Sequence, residues 1–241
     1  MTHEEAVARL VGELDRAENA RAAGSADPAF LARRTAFRAW QAGRLARTHA
    51  DLLASPRFGA AAEFFLSDLY GPQDISVHTQ EVRRIVPVMS RTLPAAALET
   101  VADAIELDAL SEELDAAMIA ALAEKGEALD ASAYAGAYRA IGHRAERARQ
   151  IDLIEHLGRA LDGLTRHPFI GAALKMMRKP AELAGLGALQ SFLERGYAAF
   201  RVMRGGADFV DIVAGRERAI SEALFAGQDE LLNVDRNDSA E

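Results

Sequence analysis

Histidine and glutamate residues at helical spacing are the side chains in this sequence best suited to chemistry. His143 and Glu146 are three residues apart, so on a helix they share one face. With Glu63 and Glu106 they would supply the imidazole and carboxylate ligands of a di-iron carboxylate centre, in which several helices hold two metals inside a bundle. The usual Glu-x-x-His motif occurs nowhere in the chain. A metal-dependent oxidase or oxygenase, with iron or manganese, is therefore the alternative hypothesis.

Two further polar residues interrupt apolar stripes. Arg216 lies in the stripe of the last predicted helix, where a buried guanidinium is costly unless it is paired. It indicates either an anion-binding site or an internal ion pair, with the acidic residues of 99–115 as candidate partners, and we favour the ion pair. His49 also lies on an apolar stripe, and we expect a hydrogen-bonded core histidine rather than a ligand.

The densest aromatic run is FGAAAEFFLSDLYGPQDI at residues 58–75. Its apolar residues cover more than one helix face, which predicts a short helix sandwiched between neighbours near the centre of the fold. Gly71 and Pro72 then end that helix. Four polar residues could surround a site at this corner, although a capped core helix is the simpler interpretation: Glu63, Asp68, Tyr70 and Asp74.

The motif FFLSDLYGP, with ELDALSEELD at 106–115 and GLGALQSFLERGYAAF at 185–200, resembles an uncharacterised all-helical protein family from proteobacteria. The resemblance covers the chain from about Trp40 to the end of the last helix. It implies an all-helical fold. No activity is established for that family, so the resemblance implies no catalytic residues.

Composition excludes several classes of site. The chain has no cysteine, which removes disulfides, thiolate nucleophiles and cysteine-ligated metals. No Gly-x-Ser-x-Gly motif or phosphate-binding glycine loop supports nucleophilic or nucleotide chemistry. No apolar run is long enough for a membrane span. The acidic start MTHEEAVARL is not a signal peptide, so we place the protein in the cytoplasm.

The net charge of −8 argues against nucleic acid as a partner. The charge is unevenly spread, because residues 31–50 carry five arginines and no acid, whereas residues 99–115 carry seven acids and no base. We expect these two segments to pair with each other, within the chain or across a dimer.

Apolar periodicity and helix caps predict an all-α bundle of about eight or nine helices without a sheet. We expect one helical domain over residues 1–226, to which the helix over 1–23 is loosely attached, and a disordered acidic tail over 227–241. Pro168 and Pro180 each predict a helix start, the second helix running to Arg204. Within it, Gly196 indicates a close helix crossing.

No motif in the sequence indicates catalysis, so the sequence leaves enzyme activity undecided. The leading hypothesis is a non-catalytic cytoplasmic bacterial protein that acts through protein–protein contacts or as a homo-oligomer, with a homodimer as one form. No resident cofactor is predicted outside the metal alternative.

Overall fold

The computed structural model describes residues 1–23, 25–69, 76–126 and 128–232, and over these residues the chain forms α-helices and no strand. The predicted all-α class is confirmed. The predicted number of helices is too low, because the chain turns at His49 and again at Gly142–His143 and so divides longer segments. The described helices are α1 His3–Ala22, α2 Pro28–Thr48, α3 Ala50–Ala54, α4 Gly59–Phe64, α5 Ser76–Thr92, α6 Ala95–Lys125, α7 Ala131–Ile141, α8 Arg144–Thr165, α9 Ile170–Leu183, α10 Gly187–Met203 and α11 Ala207–Ala226.

Helix α6 connects the apolar clusters of the molecule. Its first half packs with α1 and α5 through Leu98, Ala102 and Ala109, which are fully buried. Its last turns contribute Met118 and Ile119 to a second cluster with α2, α7 and α11. The helix is continuous over 31 residues. Its first half and its last turns contribute to different clusters because the helix is packed on two sides.

Helix α1 begins with a capping box, in which the Glu5 amide donates to Thr2 Oγ1 and the Thr2 amide donates to Glu5 Oε2. Its apolar stripe is fully buried against α5 and α6. The stripe consists of Ala6, Leu10, Leu14 and Ala17.

The aromatic run forms α4 followed by a π-helix over Phe65–Leu69. Phe65 packs with Phe200 and Phe209, whereas Phe64 lies against Phe192 on α10. The segment is therefore enclosed on two sides, as its broad apolar surface predicts. Residues 70–75 lie outside the described residues.

Helices α9 and α10 form an antiparallel hairpin that differs from the sequence prediction. Helix α9 runs through Pro180 instead of starting there, and the turn comes at Gly185, where φ is +70°. The Leu186 amide donates to the Ala181 carbonyl and the Gly185 amide donates to the Glu182 carbonyl, which closes the end of α9.

Within the described residues, no helix combines the length and apolar character needed to cross a membrane.

Candidate functional site

The four predicted metal ligands are not gathered in the part of the chain that the structure describes. Glu63 on α4 is exposed, and His143 and Glu146 are exposed at the start of α8, with Nδ1 and Oε1 3.6 Å apart. Glu106 on α6 already accepts from two guanidinium groups, Arg149 and Arg9. No group of three or more histidine or carboxylate side chains is placed to hold a metal within the described ranges.

The predicted corner after the aromatic run is only partly described. Asp68 lies on the π-helix, and the exposed Glu63 lies on the helix before it. Tyr70 and Asp74 lie outside the described residues.

The buried polar centre of the molecule joins α2, the α2–α3 corner and α11. Arg44 Nη1 donates to both carboxylate oxygens of Glu217 at 2.7 Å, and His49 Nε2 lies 3.1 Å from Glu217 Oε1. Because a carboxylate only accepts hydrogen bonds, Nε2 of His49 is the donor. Burial opposes ionisation of Glu217, but Arg44 and His49 lower its pKa to about 2. His49 is thus a buried, hydrogen-bonded histidine, as its apolar stripe indicates.

A small cavity adjoins this centre. Its walls are apolar side chains of α2, α3, α4, the π-helix and α11, together with His49 and Glu217. The volume is about 30 Å³, whereas pockets for small molecules measure roughly 300–1,000 Å³. The cavity is therefore too small for a substrate. The ion pair of Glu217 with Arg44 and His49 beside it connects α2, the α2–α3 corner and α11.

Arg216 forms the internal ion pair favoured from the sequence, but with another partner. Its guanidinium donates to both oxygens of Asp51, at 2.6 and 2.8 Å, and to the Thr48 carbonyl. This pair lowers the pKa of Asp51 to about 2. The side chain is one-third exposed, so Arg216 lies at the edge of the α3–α11 contact and not among the acids of α6.

Six acidic residues of α6 are paired with arginines from three helices. Glu112 accepts from Arg34 at 3.0 Å and lies 2.6 Å from Arg38, which confirms for these two arginines the predicted pairing between 31–50 and 99–115. The arginines of α1 and α8 were missed as partners. They are Arg9, Arg16, Arg21 and Arg149.

Burial raises the pKa of two of these acids. Burial raises the pKa of Asp115 although Arg38 donates a hydrogen bond to it. Burial likewise raises the pKa of Asp108 although it forms an ion pair with Arg21. For Glu106 the hydrogen bonds from Arg149 and Arg9 outweigh burial and lower the pKa. The carboxylates of α6 are thus engaged in holding α1, α2 and α8 rather than presented to a ligand.

The clearest surface feature is an apolar stripe on the outer side of α9. Phe169, Met176 and Leu183 are 81%, 75% and 90% exposed. With two smaller exposed residues they follow a 4-3-4-3 spacing, which places them on one helix face. We call these five residues the α9 stripe: Phe169, Ala173, Met176, Pro180 and Leu183.

The opposite side of α9 is held firmly by α10. A Cβ added at Gly171 would lie 2.9 Å from the Tyr197 ring, which shows how closely the two helices approach. Gln190 Nε2 donates to the Leu174 carbonyl at 2.7 Å, and Arg178 pairs with Glu194. The α9 stripe is therefore displayed on a fixed support.

The region around this hairpin differs from the rest of the surface in two ways. Seven of the ten exposed large apolar side chains among the described residues fall within 164–204. The same residues include seven lysines and arginines against two acids, in a chain of net charge −8. Exposed apolar surface concentrated in this way is typical of a binding interface.

Sequence reasoning missed two features that carried a signal. Glu217 lies four residues after Val213 and three before Ile220, so it shares their apolar face on α11. The α9 stripe was hidden because Pro180 was interpreted as a helix start, which divides its 4-3-4-3 spacing between two elements.

Comparison with known proteins gives one match. No curated protein and no solved structure matches the chain. The profile of a domain of unknown function, DUF8198, matches residues 20–231, which leaves most of α1 outside the match. The chain therefore belongs to the DUF8198 family.

Proposed function

We propose that the chain is a non-catalytic interaction protein that acts through protein–protein contacts made by the α9 stripe. The observation that carries the proposal is the concentration of exposed apolar side chains on the α9–α10 hairpin. Burying Phe169, Met176 and Leu183 against a partner would remove from water the most exposed large side chains of this region, which favours association.

The arrangement of these side chains matches a known mode of helix recognition. An amphipathic helix binds a partner through anchors at three- and four-residue spacing, and the α9 stripe has this spacing along about 21 Å of helix. Methionine at the centre adds a flexible, polarisable contact. Because α10 holds the opposite side of α9, the helix is already ordered before it binds, and little conformational entropy is lost on association.

Photo-cross-linking from the stripe tests this proposal. The full chain is produced in its native host with p-benzoylphenylalanine in place of Met176, and separately in place of Val88. Val88 is the matched control, since it is 60% exposed on α5, outside the hairpin. We expect a discrete protein adduct from position 176 and none from position 88.

A second pair of chains shows whether the adduct depends on the stripe. Phe169→Ser with Leu183→Ser changes two exposed residues, so the fold should be kept, and far-UV circular dichroism checks this. Loss of the adduct in that variant supports the proposal. Equal adducts from positions 176 and 88, or an adduct unaffected by the two serines, would overturn it.

A further inference from the structure

We infer that the partner of the α9 stripe is an acidic segment of another protein, whose apolar anchors cover the stripe while its aspartate or glutamate side chains face Lys175 and Lys179. This inference rests on the proposed function and names the chemistry of the partner for the same surface. The charges beside the stripe carry the inference, because they decide which apolar surfaces can approach it.

The two lysines form a row along one edge of the α9 stripe. Each residue advances by about 100° around a helix. Lys175 and Lys179 directly precede Met176 and Pro180, so they lie on the same edge, about 6 Å apart along the helix axis. Met177 directly follows Met176 and lies on the opposite edge, where it is 53% exposed. The stripe thus has one cationic edge and one apolar edge.

Both lysine side chains are exposed and can reach a partner. The neighbouring Arg178 is paired with Glu194 on α10, whereas neither lysine donates a hydrogen bond or forms an ion pair within the part of the chain that the structure describes. Glu182, exposed near the end of the helix, is the single acid of α9. Residues 164–204 together hold seven bases against two acids, so the surroundings of the stripe attract acidic groups and repel basic ones.

The one-sided arrangement of charge favours a protein segment over a second copy of the chain or a lipid surface. A second copy of the hairpin would bring like charges together, which opposes association. A lipid surface extends past both edges of a helix that lies on it, and the basic residues of such helices are spread over the polar face. Cations confined to one edge match a narrow row of carboxylates, such as an amphipathic helix presents beside its apolar anchors at three- and four-residue spacing. An acidic protein segment therefore fits both the apolar anchors and the charges of this surface.

Zero-length cross-linking tests the charge contact. The probe is the protein that mass spectrometry identifies in the adduct from position 176, produced separately and mixed with the full chain. A carbodiimide joins a lysine amine to a carboxylate only where the two groups touch, so we expect amide links from Lys175 or Lys179 to acidic residues of that protein. Lys125 is the matched control, because it is the third lysine of the chain and ends α6, outside the hairpin. Lys175→Arg with Lys179→Arg should bind equally well and lose the links, since arginine keeps the charge but has no amine.

Binding at two salt concentrations tests whether the lysines contribute to affinity. Between about 0.05 and 0.5 M sodium chloride we expect the Kd for the same protein to rise about tenfold, because screening weakens the attraction. Lys175→Gln with Lys179→Gln should raise the Kd about tenfold at the lower salt and leave a salt dependence of less than about twofold. Circular dichroism checks that these two exposed substitutions keep the fold. Equal Kd values for the wild type and the glutamine variant at the lower salt would overturn the acidic partner.

The outcomes separate this inference from the proposed function. A stripe-dependent protein adduct without amide links from the two lysines overturns the acidic segment and leaves protein docking standing. A stripe-dependent adduct of the chain with itself does the same in favour of a second copy. A chain that sediments with phosphatidylserine vesicles but not with phosphatidylcholine vesicles, and gives no stripe-dependent protein adduct, overturns both proposals in favour of a lipid surface. The absence of both the adduct and vesicle binding overturns the proposed function, and this inference with it.

Discussion

Single residues in this protein act mainly through paired charges. Glu217 is the clearest case, since Arg44 and His49 surround a carboxylate whose side chain is only 15% exposed. Removing one member of such a cluster takes a buried charge away from its counter-charge, which costs more than the cluster contributes. The residue therefore connects α2 and α11 through its charge, and this connection depends on pH.

We expect Glu217→Gln to remove a pH-dependent part of the stability. The folded-state pKa is lowered to about 2 from an ordinary 4.5. A carboxylate lowered in this way stabilises the fold above its unfolded pKa and loses that contribution as the pH falls toward 2. The lowering corresponds to about 3 kcal/mol in the free energy of unfolding. The deficit of the variant in the free energy of unfolding should therefore be full at pH 6 and fall to about a quarter of that at pH 2.5, measured by urea denaturation.

The matched control for this prediction lies on the same helix. Glu222 is exposed on α11, and Glu222→Gln should change the free energy of unfolding by less than about 0.5 kcal/mol at either pH. If Glu217→Gln had the same deficit at pH 6 and pH 2.5, the carboxylate would not be the source of the pH dependence.

At the scale of helices, close approaches decide where elements cross. The sequence indicated such a crossing at Gly196, and the structure confirms it: an added Cβ would lie 2.9 Å from Phe64 Cζ. The Phe64 ring is buried and its centroid lies 5.4 Å from that of the tilted Phe192 ring, so it has little room to move away. Helix α10 can approach α4 this closely because Gly196 has no side chain.

Gly196→Ala should therefore destabilise the protein although alanine is the better helix former. The gain in propensity is about 1 kcal/mol, and the overlap with Phe64 should exceed it, for a net loss of about 1–2 kcal/mol. Gly215→Ala is the control, because a Cβ there meets nothing within 4 Å, and it should raise stability by up to about 1 kcal/mol. Urea midpoints measure both, and a rise of equal size in the two variants would contradict the crossing.

Helices with clear caps and stripes could be predicted from the sequence, and partners in space could not. Thr2 and Glu5 cap α1 as a local pattern requires, because capping involves residues three apart. Arg216 was expected to pair, yet its partner Asp51 is 165 positions away, and no local pattern selects it over the acids of α6. The α9 stripe needed the course of the helix through Pro180, which is set by packing on α10.

The chain belongs to a family of unknown function, which agrees with the uncharacterised family expected from the sequence only in that respect. The match starts at residue 20, so most of α1 precedes it. The fully buried stripe of α1 and its ion pairs to α6 attach this helix to the matched region.

At the scale of the whole molecule, α6 should make the chain one cooperative unit. The helix contributes to the cluster that holds α1 and to the separate cluster around Tyr134, where Trp40 stacks on the Tyr134 ring at 4.4 Å. Trp40 is the single tryptophan, so its fluorescence reports the α2–α7 side of the molecule. The far-UV circular dichroism reports all helices, including α1.

Leu14→Ala on α1 tests this cooperativity. Leu14 is fully buried, and truncating such a leucine costs about 2–5 kcal/mol. If the clusters unfold together, the urea midpoints from Trp40 fluorescence and from circular dichroism should fall by the same amount, because a two-state transition gives coincident probes. A Trp40 midpoint that stays at the wild-type value, while part of the helical signal is lost earlier, would mean that α1 unfolds on its own and is loosely attached.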